Sequence, residues 1–600
     1  MSSLRCLFVL ALLAALIGCG SGSQSMPASP PVFTSTPPTA ATQGVAYNYA
    51  ITATDPAGGS VTFALSGAPT GAGMTGSTLS WSPAAAQSRV SDPFTVTATS
   101  SEGGHATQSW SVTPAGTING SWIDTRWTAS GSSNEPFDWT KHGPPPQALI
   151  PQPDGTFTPI SGTGNADGTF SIPNVPGGYY WMQIGPYSYW TSSSTFDDGR
   201  DTVGRAIGTI QTPVITTFDF NIAGLGAVVP GDQFAFLTDW PDNFPVINIG
   251  FAIPSPTGAT TMTTSYRTPQ SNLDYSTADM GFLLQYEPVA AGTVTGVALG
   301  PELTVSNLSL ASGATNNVNA TLNASPHASF DLNVKGSQWA AMYQNAGPGT
   351  VTPVDTYISL AAQPFAPAGV LGEQLNLPLF LPPLTANGFG FTVGWATAGT
   401  CGDSGAVNPQ TIITSYPPML TDQDFGSLAY GDPFDASWAR VFSLCQKASV
   451  QVPVPGGGTP ATFLFQDGVN TAVPTSPVVP LALPVQNPTI NGASFFMAGN
   501  VSPAGITLGW SAPDGTAPFA YRVVPLMWTT LPNGSQTYQG VGAFYTGKTS
   551  ITLPALQSGQ TYVFVISTEV DARANVETSP HRSGLPTAVA TVISAPFATN

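Results

Sequence analysis

Ser404 stands in the stretch CGDSGA, Cys401 to Ala406, where two glycines free the backbone around a hydroxyl preceded by a carboxylate. A nucleophilic serine needs a histidine within hydrogen-bond reach and a second carboxylate behind that ring. The chain holds four histidines, His105, His142, His327 and His581. A second concentration of reactive groups is FDDGRD, Phe196 to Asp201, with carboxylates at Asp197, Asp198 and Asp201. Calcium takes about six to eight oxygens, and its loops supply them at alternating positions closed by a glutamate. That spacing is missing, so FDDGRD reads as a solvated turn. Asp55, in Asp55-Pro56-Ala57-Gly58, is a lone carboxylate and an equally poor start. The chain contains no H-E-x-x-H, no C-x-x-C and no glycine-rich phosphate loop. We therefore expect neither metal nor cofactor.

GDSG resembles the surroundings of the nucleophile in trypsin-like proteases. In that family the histidine sits in an A-A-H-C setting ahead of the serine. Here the three upstream histidines stand in GGHAT, TKHGP and SPHAS. The strand that would carry a specificity pocket after the serine is also unrecognisable. GDSG is expected to be a turn, with Gly402 and Gly405 permitting it and Asp403 and Ser404 capping it. No catalytic residue is assigned, and the chain reads as a non-enzyme.

The elements that position these groups follow from composition. Gly and Pro number 64 and 58, and charged residues make up only 8%. Such a chain could be disordered, but 42% hydrophobic and 10% aromatic residues demand burial. Many short strands joined by turns meet both conditions. The expected fold class is all-β, a multidomain tandem array of β-sandwiches of immunoglobulin-like and fibronectin type III-like kinds. The 600 residues make about four domains at roughly 150 each. Lys and Arg number 14 against 32 Asp and Glu, for a net charge of -18. Binding a phosphate backbone needs clustered cations, which are missing, so nucleic acid is excluded as a partner.

The N-terminus MSSLRCLFVLALLAALIGCGSGS has one cation, Arg5, ahead of an apolar run from Cys6 to Ile17. This is the layout of an export signal, too short for a membrane span. Leu16-Ile17-Gly18-Cys19 resembles the lipobox of bacterial lipoproteins. The resemblance implies cleavage before Cys19, lipid on its sulfur and acylation of the new amino terminus. With Gly20 next, it also implies outer-membrane sorting in a diderm host. Residues 19–30 are then a flexible tether, and several acyl chains anchor the protein stably in a membrane. Cys6 leaves with the leader 1–18 and Cys19 carries lipid, so Cys401 and Cys445 remain and are expected to pair.

Residues 31–114 carry GVAYNYAITATD, SVTFALSGAPTG, STLSWSP and DPFTVTATSSEGG, short alternating strands with regular turn signals. Gly44, Tyr47, Tyr49, Asp55, Pro69, Gly71, Trp81, Pro83 and Gln87 resemble the pattern of immunoglobulin-like, cadherin-like modules of bacterial surface proteins. Residues 115–205 contain DGTFSIPNVPGGYYWMQIG. There Asp167, Gly168, Phe170, Pro176, Gly178 and Tyr180 resemble the carboxypeptidase-regulatory-like sandwich, which in its family accompanies enzymes without being catalytic. Residues 206–480 show strands FDFNI, QFAFL, INIGFAI, GFLLQY, SFDLNV and FGFTVGW, no useful amphipathic helix, and no recognisable family. One or two sandwiches are expected there. Residues 481–600 resemble a fibronectin type III domain, with Trp510 and Tyr521 in its core and Leu556, Gly559 and Tyr562 forming the corner before its sixth strand.

The densest aromatic cluster is Tyr179, Tyr180, Trp181, Tyr187, Tyr189 and Trp190. Period two sends Tyr180, Met182 and Ile184 to the core and Tyr179 and Trp181 to the other face. Packing against a neighbouring domain is the reading we favour for that second face. Stacking on sugar rings, through Tyr179, Trp181, Tyr187, Tyr189 and Trp190, is the alternative. The function expected is a lipid-anchored array at the surface or in the periplasm, acting by binding, adhesion or scaffolding. Its partners are the membrane and an extracellular protein or polysaccharide. A carbohydrate-binding protein and a hydrolase with its site in 206–480 are the rivals.

Overall fold

Alternation along the strands decides which side chains meet. In Tyr47–Ala50 and Thr78–Trp81 every second residue is buried, and the longer Asp92–Ser100 turns Phe94, Val96 and Ala98 inward. The computed structural model describes residues 28–204, 214–238, 248–268, 279–372, 377–381 and 416–600. They fall into two compact units divided between Ala115 and Gly116.

In the first unit, Thr78–Trp81 lies between Tyr47–Ala50 and Gly73–Thr75, and Asp92–Ser100 between Val61–Gly67 and His105–Val112. Their inner faces enclose Tyr47, Tyr49, Leu79, Trp81, Phe94 and Val96, the inward aromatic set that alternation predicts. The remaining motif residues build the turns. Gly71 sits at φ +86°, a conformation glycine takes without steric cost, and the Ala72 N–H donates to Pro69 O at 3.1 Å to close that turn. Gln87 donates from Nε2 to Thr70 O and accepts from Ala84 N–H, both at 2.9 Å, tying two turns together. Asp55 spends its carboxylate on the N–H groups of Ala57 and Gly59.

The second unit is a run of hydrogen-bonded strands with few internal breaks. Within 116–203, Gly116–Ser121 and Thr169–Val175 pair in one sheet. Gln147–Pro151, Tyr180–Ile184 and Tyr187–Thr191 pair in another, and Ile118, Trp139, Phe170, Tyr180, Met182 and Tyr189 fill the space between. The expected strands of the middle region form as Thr217–Ala223, Gln233–Thr238, Asn248–Ala252, Asp279–Ala291 and His327–Lys335; FGFTVGW lies outside the described residues. Thr352–Pro367, Trp438–Val452 and Ala461–Thr471 are long antiparallel neighbours.

Main-chain pairing crosses both 205/206 and 480/481. Ala461–Thr471 pairs with Thr587–Ile593, and Tyr187–Thr191 runs parallel to Ala543–Thr546. The buried Tyr562 hydroxyl accepts from Gln557 N–H at 3.1 Å, and Trp510 meets Tyr521 edge-on at 5.2 Å. One element escapes the periodicity reading, a seven-residue helix Gly336–Met342. It buries Trp339, Met342 and, just beyond it, Tyr343.

Candidate functional site

The aromatic strands and FDDGRD, separate in the sequence analysis, form one seam with the terminal loop 571–584. Tyr180–Ile184 and Tyr187–Thr191 are a hairpin whose register sets Trp181 opposite Trp190 and Met182 opposite Tyr189. Tyr180, Met182 and Ile184 face the core, as alternation requires. Trp181 is not a surface residue. It is fully buried, and its indole N–H donates to Thr552 O at 3.2 Å. It joins the core of the terminal segment, edge-on to Phe544 at 5.4 Å. The outer face of a β-hairpin becomes interior when a second sheet covers it, and the sheet holding Thr507–Ser511 and Ser550–Thr552 does that here, while Ala543–Thr546 extends the hairpin's own sheet at its edge. Tyr189 is buried as well, stacked on Tyr545 at 5.2 Å.

Tyr179, Tyr187 and Trp190 are half-buried. Tyr179 and Trp190 lie nearly parallel at 5.8 Å, and Lys548 Nζ sits 4.7 Å from the Tyr179 ring. The Tyr179 hydroxyl donates to Glu577 at 3.2 Å. These rings are largely committed to protein neighbours, so the sugar-stacking set of five loses Trp181 and Tyr189 outright.

FDDGRD is not a solvated turn. Asp198 and Asp201 are 2% and 3% exposed, and Asp197 is held at the rim. Arg582 explains the arrangement. Its Nε donates to Asp197 at 2.9 Å, Nη1 to Thr125 Oγ1 and Arg200 O, and Nη2 to Ile123 O. A planar guanidinium with five fixed donors suits such a pocket, where a lysine would leave acceptors unmet. Arg573 pairs with Asp201 at 3.0 Å, whose other oxygen accepts from Trp127 Nε1 at 3.0 Å. Backbone bonds complete the join, Asp197 N–H to Thr578 O at 2.7 Å among them.

At the centre, the Tyr189 hydroxyl and His581 Nε2 are 2.6 Å apart, with Asp198 Oδ1 3.6 Å from the same nitrogen. Burial pushes the Asp198 carboxyl up to about 8, with Arg200 opposing and Asp124 and Asp197 reinforcing. Burial pushes His581 down to about 3, helped by Arg200. Both groups are therefore uncharged near neutrality, and a neutral imidazole and a phenol share the short hydrogen bond. Tyrosine, histidine and aspartate in contact are the parts of a nucleophile activated by a base. This set works against that chemistry. Burial and Asp198 raise the Tyr189 phenol well above its ordinary value, which disfavours the anion that would attack. The trio acts as a neutral clamp between two chain segments nearly 400 residues apart.

No three histidine, cysteine, aspartate or glutamate side chains converge as a metal site among the described residues. Asp197, Asp198 and Asp201 diverge to three different partners. Cys445 is buried in Trp438–Val452. Cys19, Cys401 and the CGDSGA stretch with Ser404 lie outside the described residues. Glu577, Arg573, His581 and Arg582 escaped the sequence analysis. The available signal was DARANVETSPHR, 571–582, which holds two of only 14 cationic residues together with a histidine.

With this geometry in hand, the chain can be set against known proteins. The family described as "Putative Ig domain" matches residues 30–115. Residues 30–115 are an immunoglobulin-like domain. No curated protein matches the chain. Among solved structures, a Bacteroides ovatus protein of a mixed-linkage glucan utilization locus, SGBP-B, in complex with a heptasaccharide, is 11% identical. That match covers 67% of this chain and 98% of that one, at a TM-score of 0.13. Sidekick-1 immunoglobulin domains 1–5 are 8% identical over 95% of this chain and 99% of theirs, at 0.14. The eight N-terminal Ig domains of the Down syndrome cell adhesion molecule are 9% identical over 94% and 95%, at 0.13. Scores this low carry no functional weight.

Proposed function

We propose that this chain is a lipid-anchored protein of the bacterial cell envelope whose β-sandwich array binds or displays a partner without catalysing a reaction. The seam carries this reading. The chain's most reactive described cluster is buried and spent on joining Tyr187–Thr191 to the terminal segment. Such a joint resists bending, the property a spacer or binding array needs. The Tyr562 corner and Trp510 core support a fibronectin type III-like terminal module. The turn of Asp167, whose carboxylate accepts from Thr169 N–H and Oγ1, supports a carboxypeptidase-regulatory-like segment before it. The partner is an extracellular protein or a polysaccharide. Cys19→Ser should move the protein from the membrane to the soluble fraction after export. Identical fractionation of wild type and variant would remove the anchor from the proposal.

A further inference from the structure

The short helix that periodicity missed borders a groove of about 630 Å³, within the size range of small-molecule sites. Gln338, Met342 and Asn345 follow one another at helical spacing along one wall, and the inward Trp339 and Tyr343 fix that face in place. The opposite wall is the chain entering Gln486–Ile490. A bulge between Gln486 and Thr489 interrupts the strand pairing, and Gln486 and Asn487 are both exposed there. Met342 is buried at the base, and the half-buried Phe496 closes one end.

The lining has two chemical properties. It holds no charged residue, although the chain carries a net charge of -18. It also holds four primary amides, none with a side-chain hydrogen-bond partner among the described residues. A charged ligand would find no counter-ion here, and a lipid tail would leave four amides desolvated without partners. A carboxamide donates and accepts at once, which matches vicinal hydroxyls, and the half-buried Phe496 offers apolar surface to the C–H face of a sugar ring. We infer that this groove binds a neutral oligosaccharide. The inference rests on the reading of the chain as a binding array and gives that array a ligand class and a location. The groove is separate from the Tyr179–Trp190 hairpin.

The test is calorimetric titration of the full-length exported chain with cellohexaose, mannohexaose and xylohexaose. Hexagalacturonate and a proline-rich peptide serve as the charged and peptide comparisons. At least one neutral glycan should bind, with an affinity unchanged between low and high salt because no ion pair forms. Gln338→Ala combined with Gln486→Ala should weaken binding about tenfold at unchanged melting temperature, and Phe496→Ala should weaken it comparably with a lowered melting temperature, because that ring also packs on the terminal core. Tyr179→Ala should bind as wild type does. Failure of all three neutral glycans would overturn the inference, and so would binding confined to hexagalacturonate or the peptide. Equal binding by the groove variants would overturn it too, while leaving the binding-array reading in place. The Cys19→Ser fractionation bears on that reading alone.

Discussion

Asp467→Asn should stabilise the protein above neutral pH and do nothing comparable in acid. Asp467 lies on Ala461–Thr471, fully buried, opposite the equally buried Gln446 on the neighbouring strand. Thr591 approaches its carboxyl group without good hydrogen-bond geometry. Burial raises its carboxyl from 3.8 to about 8, and the adjacent Thr591 offsets only part of that. Below about pH 4 the carboxyl is protonated in folded and unfolded chains alike, so stability does not depend on it. Between 3.8 and about 8 the unfolded chain releases the proton and the folded chain keeps it. Stability then falls by up to about 1.4 kcal/mol per pH unit. Across the window the loss reaches about 6 kcal/mol, and above it the loss is constant. Asparagine keeps the shape and cannot titrate. Urea unfolding of wild type and Asp467→Asn at pH 4, 6 and 8 measures the difference directly. The two should nearly coincide at pH 4, and the variant should lead by several kcal/mol at pH 8. A difference independent of pH, or a variant less stable than wild type at pH 8, would refute a neutral buried Asp467.

Further outcomes follow from the seam and the cysteines. Arg582→Ala should cost about 3 kcal/mol, because it strands Asp197 and three other acceptors, and limited proteolysis should then cut within 571–584. Trp181→Ala should cost about 3–5 kcal/mol as a core truncation, read as a lowered melting temperature; an unchanged one would return Trp181 to the surface. Non-reducing peptide mapping should find Cys401 linked to Cys445, a closure of about 44 residues that contributes roughly 4 kcal/mol. A fluorophosphonate probe should leave Ser404 unlabelled.

Burial periodicity was readable wherever one strand face meets a core and the other meets water. Tyr47, Tyr49 and Ile51 show it, as do Tyr180, Met182 and Ile184, since each inward position is decided by its own strand. At Trp181 it assigned the second face, for which packing was the favoured reading, but could not name the strand that covers it, which lies more than 350 residues away. It failed at Gly336–Met342. Seven residues give two helical turns, too few for a 3.6-residue period to stand out from a strand's. FDDGRD failed because carboxylate spacing reports only on ligands the loop itself can offer. The ion-pair partners of Asp197 and Asp201 are Arg582 and Arg573, 385 and 372 residues away.

That last failure has a physical lesson. The chain has 14 Lys and Arg for 32 Asp and Glu, so most carboxylates must face water, cap a turn or stay protonated. A cation is the scarce reagent. Among the described residues, Arg126, Lys141, Lys335, Arg440, Arg522, Arg573 and Arg582 sit in ion pairs. Arg126, Arg440, Arg522 and Arg582 are mostly or wholly buried in theirs. Burying a guanidinium is costly unless its donors are met, so a buried arginine in such a chain marks a place where several acceptors converge, local ones around Arg440 and distant ones around Arg582. In a sequence this poor in cations, DARANVETSPHR pointed to the seam more directly than FDDGRD, whose carboxylates are common and whose partners are rare.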